Sequence, residues 1–99
     1  MATYVLIHGA WHGAWCWDYV KAELEKEGHH VITPNLPIDT SATLVDYADL
    51  VVKEIEDAED PVVVGHAMAG LLLPIIAEKT FVRELVYLCA EVRRGGAEP

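Results

Sequence analysis

Apolar residues gather in four short runs along the chain, and each run is continuous rather than alternating. The runs are Tyr4-Val5-Leu6-Ile7, Val31-Ile32-Thr33, Val62-Val63-Val64 and Leu85-Val86-Tyr87-Leu88. Short β-branched and aliphatic runs of this kind predict strands covered on both faces, as in a parallel sheet. Between them the spacing changes to that of helices. Trp17, Val20 and Leu24 predict one apolar helix face, closed by Gly28. Leu44, Tyr47, Val51 and Ile55 predict a second, opening at Thr43 with Asp46 three residues on, the pattern of a capping box. Met68 to Ala77 is apolar almost throughout and predicts the most buried helix, bent where Pro74 removes a backbone donor.

Strands alternating with helices predict βαβ units, hence a parallel sheet with right-handed crossovers. The ligand site of such a sheet lies outside the carboxyl ends of its strands, where the strand order reverses. If the first and third strands are neighbours there, two glycine-rich loops meet, His8 to Gly13 and Gly65 to Gly70. Glycine at such loops lets backbone come close to backbone or ligand.

Composition narrows the classes. The chain has 99 residues, 53% of them hydrophobic, which suits one globular domain. We expect a core over residues 1–92 and a loose tail over 93–99, around Arg93-Arg94-Gly95-Gly96. A formal net charge of −9 disfavours nucleic acid and anionic membranes as partners and fits a solvated acidic surface. Cys16 and Cys89 lie in apolar surroundings without metal or redox spacing, which predicts free thiols in a reducing compartment. With no leader pattern and no membrane-length apolar stretch, a cytoplasmic location is expected.

The chemistry concentrates in Gly65-His66-Ala67-Met68-Ala69-Gly70. A strand that runs through a tight turn into a buried helix is the setting of the G-x-S-x-G nucleophile elbow. Here Ala67 stands at the central position, among the small residues Gly65, Ala69 and Gly70. The N–H of Met68, at the start of the helix, would serve as one oxyanion donor. The second would come from Ala10, after His8-Gly9. The oxyanion hole is intact on paper, and the attacking hydroxyl is absent.

Three segments carry a family likeness: Val5 to Trp17, Gly28-His29-His30-Val31, and Val63 to Gly70. Together the chain resembles the N-terminal half of an α/β-hydrolase, in the esterase branch of plant methylesterases and hydroxynitrile lyases and their small bacterial relatives. The resemblance implies four parallel strands in the order 2-1-3-4 with helices on both faces. It implies oxyanion donors at Ala10 and Met68 and places Ala67 where the family has its nucleophilic serine. Gly9 and His66 favour ester hydrolases over the cyanide-lyase members. The family's acid and histidine fall on later loops, so a truncated core that does not hydrolyse esters by the family mechanism is expected.

The remaining candidates have plain readings. Glu91 reads as a surface carboxylate rather than a displaced catalytic acid. His8 and His12 are four apart but in a glycine loop without a third ligand, so no metal is expected, and no cofactor. His66 reads as packed and hydrogen-bonded beside the elbow, and His29-His30 as solvated. Trp11, Trp15 and Trp17 either pack the first helix or wall an acyl pocket, packing being preferred. Leu71-Leu72 replaces the Lys-Ser/Thr of a P-loop, which removes phosphate binding. Two other classes stay open. One is a minimised or designed scaffold that forms a homodimer through the fourth strand's edge. The other is a binder of a small ester or carboxylate.

Overall fold

The four apolar runs become four parallel strands in a computed structural model that describes residues 2–9, 13–37 and 41–88. The strands are β1 (Thr3–Ile7), β2 (His30–Ile32), β3 (Pro61–His66) and β4 (Glu84–Leu88), in the order β2-β1-β3-β4. The helices are α1 (Asp18–Lys26), α2 (Leu44–Ile55) and α3 (Leu73–Lys79). Short 310 segments lead into α1 (Ala14–Trp17) and into α3 (Ala67–Leu72). The register pairs Thr3 with His30 on one side of β1 and with Pro61 on the other, and runs on to Ile7 opposite Gly65.

Side chains alternate across the sheet, so β1, β2 and β3 each feed two cores. Val5, Ile7 and Val63 pack with Ala48, Val51 and Ile55 of α2 and with Leu73 and Ile76 of α3. Leu6 and Val31 pack on the opposite face with Trp17, with Tyr4, Leu24 and Val64 at its margin. Burying each of these aliphatic side chains stabilises the fold by about 1.5–3 kcal/mol, which makes the α2–α3 side the stronger of the two. That α2 begins where the spacing predicts is explained by its cap. Thr43 Oγ1 accepts the Asp46 N–H at 3.2 Å and Asp46 Oδ2 accepts the Thr43 N–H at 2.9 Å.

Three expectations are corrected. The inner line of the first helix runs through Trp17, half-buried Lys21 and Leu24, and Val20 is 40% exposed on its flank. A spacing of four then three fits the contact line as well as three then four, and only the neighbouring strands decide between them. Pro74 does not bend a continuous helix. It sits in the first turn of α3, at the changeover from the 310 segment, a position that suits its fixed φ. Finally, the described residues do not cover β4 on both faces: Leu85 joins the α2–α3 core, Val86 is half-buried, and Tyr87 and Leu88 are exposed. On the α1 side the helix lies over β1 and β2, too far across the sheet to shield β4. No described helix is long and apolar enough to cross a membrane.

Candidate active site

The turn after β3 has the geometry that its sequence calls for. His66 is extended, with φ −103° and ψ 132°, and Ala67 then takes φ 55°, in the left-handed region. For an L-residue that conformation costs about 1–2 kcal/mol, so the surroundings must impose it. Gly65 is part of the cause. A Cβ there would lie 3.1 Å from the Ala69 carbonyl oxygen and from both Leu73 methyls, so a larger residue would have to push the helix or the Leu73 side chain back from the strand. Ala69 and Gly70 are buried behind the turn, and Met68 projects outward, 38% exposed.

Because β1 and β3 are paired, the loop after β1 arrives against the same turn. A Cβ on Gly9 would lie 3.0 Å from the Ala67 Cβ and 3.1 Å from the His66 carbonyl oxygen. The two glycine-rich loops therefore touch, at the position where the strand order reverses. Ala10, Trp11 and His12 lie outside the described residues, as do Cys89, Glu91 and the 93–99 tail. The expectations placed on them are carried by sequence alone.

His8 is 4% exposed and uses both ring nitrogens. Its Nε2 accepts the Leu36 N–H at 2.9 Å, which leaves Nδ1 to carry the proton and donate to the Gly9 carbonyl at 2.9 Å. An imidazole so occupied is a structural link and not a free metal ligand. No group of three or more metal-binding side chains occurs among the described residues. The loop after β2 makes a second bond to the same region, where Asn35 Oδ1 accepts the Ala14 N–H at 2.9 Å. Sequence reasoning missed Asn35 and Leu36 because their partners lie more than twenty residues away and no local pattern marks them.

His66 is half-buried, its ring edge-to-face with Trp17 at 6.2 Å between centroids. The tryptophans divide: Trp17 is core, while Trp15 is 66% exposed. The Trp17 indole N–H is buried without a hydrogen-bond partner among the described residues. His29 is more ordered than expected, since its Nδ1 accepts the Ala2 N–H at 3.1 Å and its ring stands against Tyr4. Cys16 is half-buried, and burial pushes its thiol up, with Asp18 adding to the rise and a backbone hydrogen bond opposing it.

Residues 4–99 match the alpha/beta hydrolase family. A carbendazim-hydrolyzing esterase of Nocardioides sp. is 36% identical over 97% of this chain and 45% of its own length. An extracellular alpha/beta-hydrolase from a Paenibacillus species superposes with a TM-score of 0.84 at 30% identity, over 95% of this chain and 43% of that one. A variant of tomato methylketone synthase I, solved with β-ketoheptanoate, superposes with a TM-score of 0.74 at 28% identity, over 95% of this chain and 42% of that one. The chain thus spans less than half the length of these relatives. With its sheet order, its strained turn and its family match in agreement, the chain belongs to the alpha/beta hydrolase family.

Proposed function

We propose that the turn after β3 and the loop after β1 form an esterase-type oxyanion site that binds the carbonyl or carboxylate oxygen of a small ester or acid without forming an acyl-enzyme. The backbone N–H groups of Met68 and Ala10 are the donors, with His8, Gly9, Gly65, His66 and Gly70 shaping the turn and loop around them. Ala67 occupies the seat of the nucleophile. The observation that carries this reading is the Ala67 backbone, whose φ of 55° keeps the strained elbow although its methyl group can attack nothing. An N–H in the first turn of a helical segment has no internal partner and is free to meet an oxygen that gains charge. Without a hydroxyl at position 67 the covalent step is lost, which alone removes most of the rate of such an enzyme.

The test is calorimetric titration of the chain with butyrate and with ethyl butyrate, alongside acetylation by p-nitrophenyl acetate read by intact mass. Heats of binding together with a chain of unchanged mass are expected. Uniformly absent heats at millimolar ligand, or acetyl transfer to the turn, would overturn the reading.

A second reading is favoured by the same methyl group together with the β-ketoheptanoate held by the tomato neighbour. Loss of CO2 from a 3-oxo acid needs no nucleophile. The bond between the carboxylate carbon and the α-carbon breaks, its electron pair passes into an enolate, CO2 leaves, and water returns a proton to the α-carbon. Donors aimed at the keto oxygen stabilise that enolate as they would a tetrahedral oxyanion. Release of 2-hexanone from β-ketoheptanoate above the uncatalysed rate would support it, and equality with that rate would remove it.

A further inference from the structure

Two aromatic rings stand in solvent one turn apart, Tyr19 in the first turn of α1 at 81% exposure and Trp15 in the 310 segment before it at 66%. The inner line of the helix is Trp17, Lys21 and Leu24, so the opposite side continues from Tyr19 through Ala22 and Lys26, both exposed. Single apolar residues at a surface need no explanation, but two rings on one side of one helix form a patch. Trp15 lies against the backbone of Gly13, where a Cβ would stand 2.9 Å from its Cδ1 and Nε1. Its ring is thus seated before anything covers it, and little side-chain freedom is left to lose on contact.

The line is complementary to itself when read in the opposite direction. Laid antiparallel with the centre between Tyr19 and Ala22, Tyr19 of one copy falls on Ala22 of the other, and Trp15 falls on Lys26. Each pair occurs twice by symmetry. Ala22 is the small residue that lets a ring come close, and an ammonium group is an attractive neighbour for an indole. Lys26 is otherwise 3.4 Å from Glu23 in a pair that solvent reaches freely, so turning toward the indole loses little. Charge permits the approach. Asp18, Glu23 and Glu25 against Lys21 and Lys26 give α1 a net −1, three acids less two lysines, out of −9 for the whole chain. A fully covered ring buries about 150–250 Å², so four rings exposed to this degree offer about 400–700 Å². The surface beneath them adds a similar amount, for a total of about 800–1,400 Å², the size of a weak, reversible interface.

We propose that the outward side of α1 is a self-association surface, on which a second copy of this chain packs antiparallel about a two-fold axis between Tyr19 and Ala22. The inference is independent of the ligand reading. The rival surface is the β4 edge, where Tyr87 and Leu88 are each less than half exposed.

The test is sedimentation equilibrium of the full chain from micromolar to millimolar concentration, beside Tyr19→Glu, Ala22→Arg and Leu88→Lys. The parent mass should climb from that of one chain toward twice that value. Tyr19→Glu and Ala22→Arg should weaken association by about tenfold or more, while Leu88→Lys associates like the parent. All three positions are exposed, so the variants should keep the circular dichroism of the parent. In a mixture of 13C-labelled and unlabelled parent chains, a filtered nuclear Overhauser experiment should connect the Tyr19 ring of one copy to the Ala22 methyl of the other. A single-chain mass at every concentration, association unchanged in both α1 variants, or loss in Leu88→Lys alone would overturn the proposal.

Discussion

The strained turn makes a prediction opposite to ordinary expectation, namely that replacing Ala67 by glycine does not weaken the fold. Ala→Gly at an exposed helical position costs about 1 kcal/mol, and Ala22 in α1 supplies that control within the same chain. At position 67 the backbone sits at φ 55°, where an L-residue carries about 1–2 kcal/mol of strain that glycine is spared. Glycine's extra freedom in the unfolded chain returns about 0.5–1 kcal/mol of that gain. Removing the half-buried methyl returns a fraction of the ~0.8 kcal/mol that a fully buried carbon group contributes. The sum places Ala67→Gly between about zero and 1 kcal/mol more stable than the parent, hence about 1–2 kcal/mol better than Ala22→Gly. Urea unfolding followed by circular dichroism, with a shared m-value, resolves that difference. In thermal unfolding it separates the two midpoints by roughly 4 °C or more. If Ala67→Gly falls as far as Ala22→Gly, residue 67 is not left-handed in solution, and the elbow on which the site depends is not formed.

Other substitutions probe the remaining supports. Gly9→Ala places a methyl 3.0 Å from the Ala67 Cβ and 3.1 Å from the His66 oxygen, and should cost about 1–3 kcal/mol in denaturant unfolding. The Ala67→Gly background should recover part of that cost, since one of the two clashes disappears. Thr43→Ala removes the capping hydroxyl of α2 and should cost about 1 kcal/mol, read in the same experiment. Leu73→Ala, at a fully buried position against Gly65, should cost about 2–5 kcal/mol and loosen the turn as well. The raised Cys16 thiol should react with iodoacetamide more slowly in the native chain than in urea at mildly alkaline pH. Its folded form holds the proton longer, so the stability it contributes is present below the ordinary thiol value and is lost as pH rises through the raised one.

Much of this architecture is legible in local chemistry. The β-branched runs mark the strands because parallel strands need apolar side chains on both faces, and Thr43 with Asp46 marks a helix start because the two groups satisfy each other's backbone. The elbow is legible for a similar reason, since Gly65 and the small residues beyond Ala67 are what a helix folding back onto its strand requires. Long-range relations are not written locally. Which of Val20 and Lys21 faces the sheet depends on where β1 and β2 lie, and the exposure of β4 depends on which elements reach it. The fastening of His8 by Leu36 is invisible for the same reason: a main-chain donor has no sequence identity, and any residue at position 36 but proline would offer it.

The pairing of β1 with β3 has a consequence in time as well as in space. Thr3 meets Pro61 across a stretch of roughly sixty residues, so the two halves of the site come from opposite ends of a long closure. Contacts of such separation form slowly, after local helices such as α2 have had many chances to appear and dissolve. A partly folded chain can thus own every helix and still have no site, because the turn at Ala67 and the loop at Gly9 exist as neighbours only once the central strands have zipped together. If the site binds butyrate as proposed, acquisition of that affinity during refolding is a clock for that one event, and it should run with the last phase of folding rather than with the first appearance of helix.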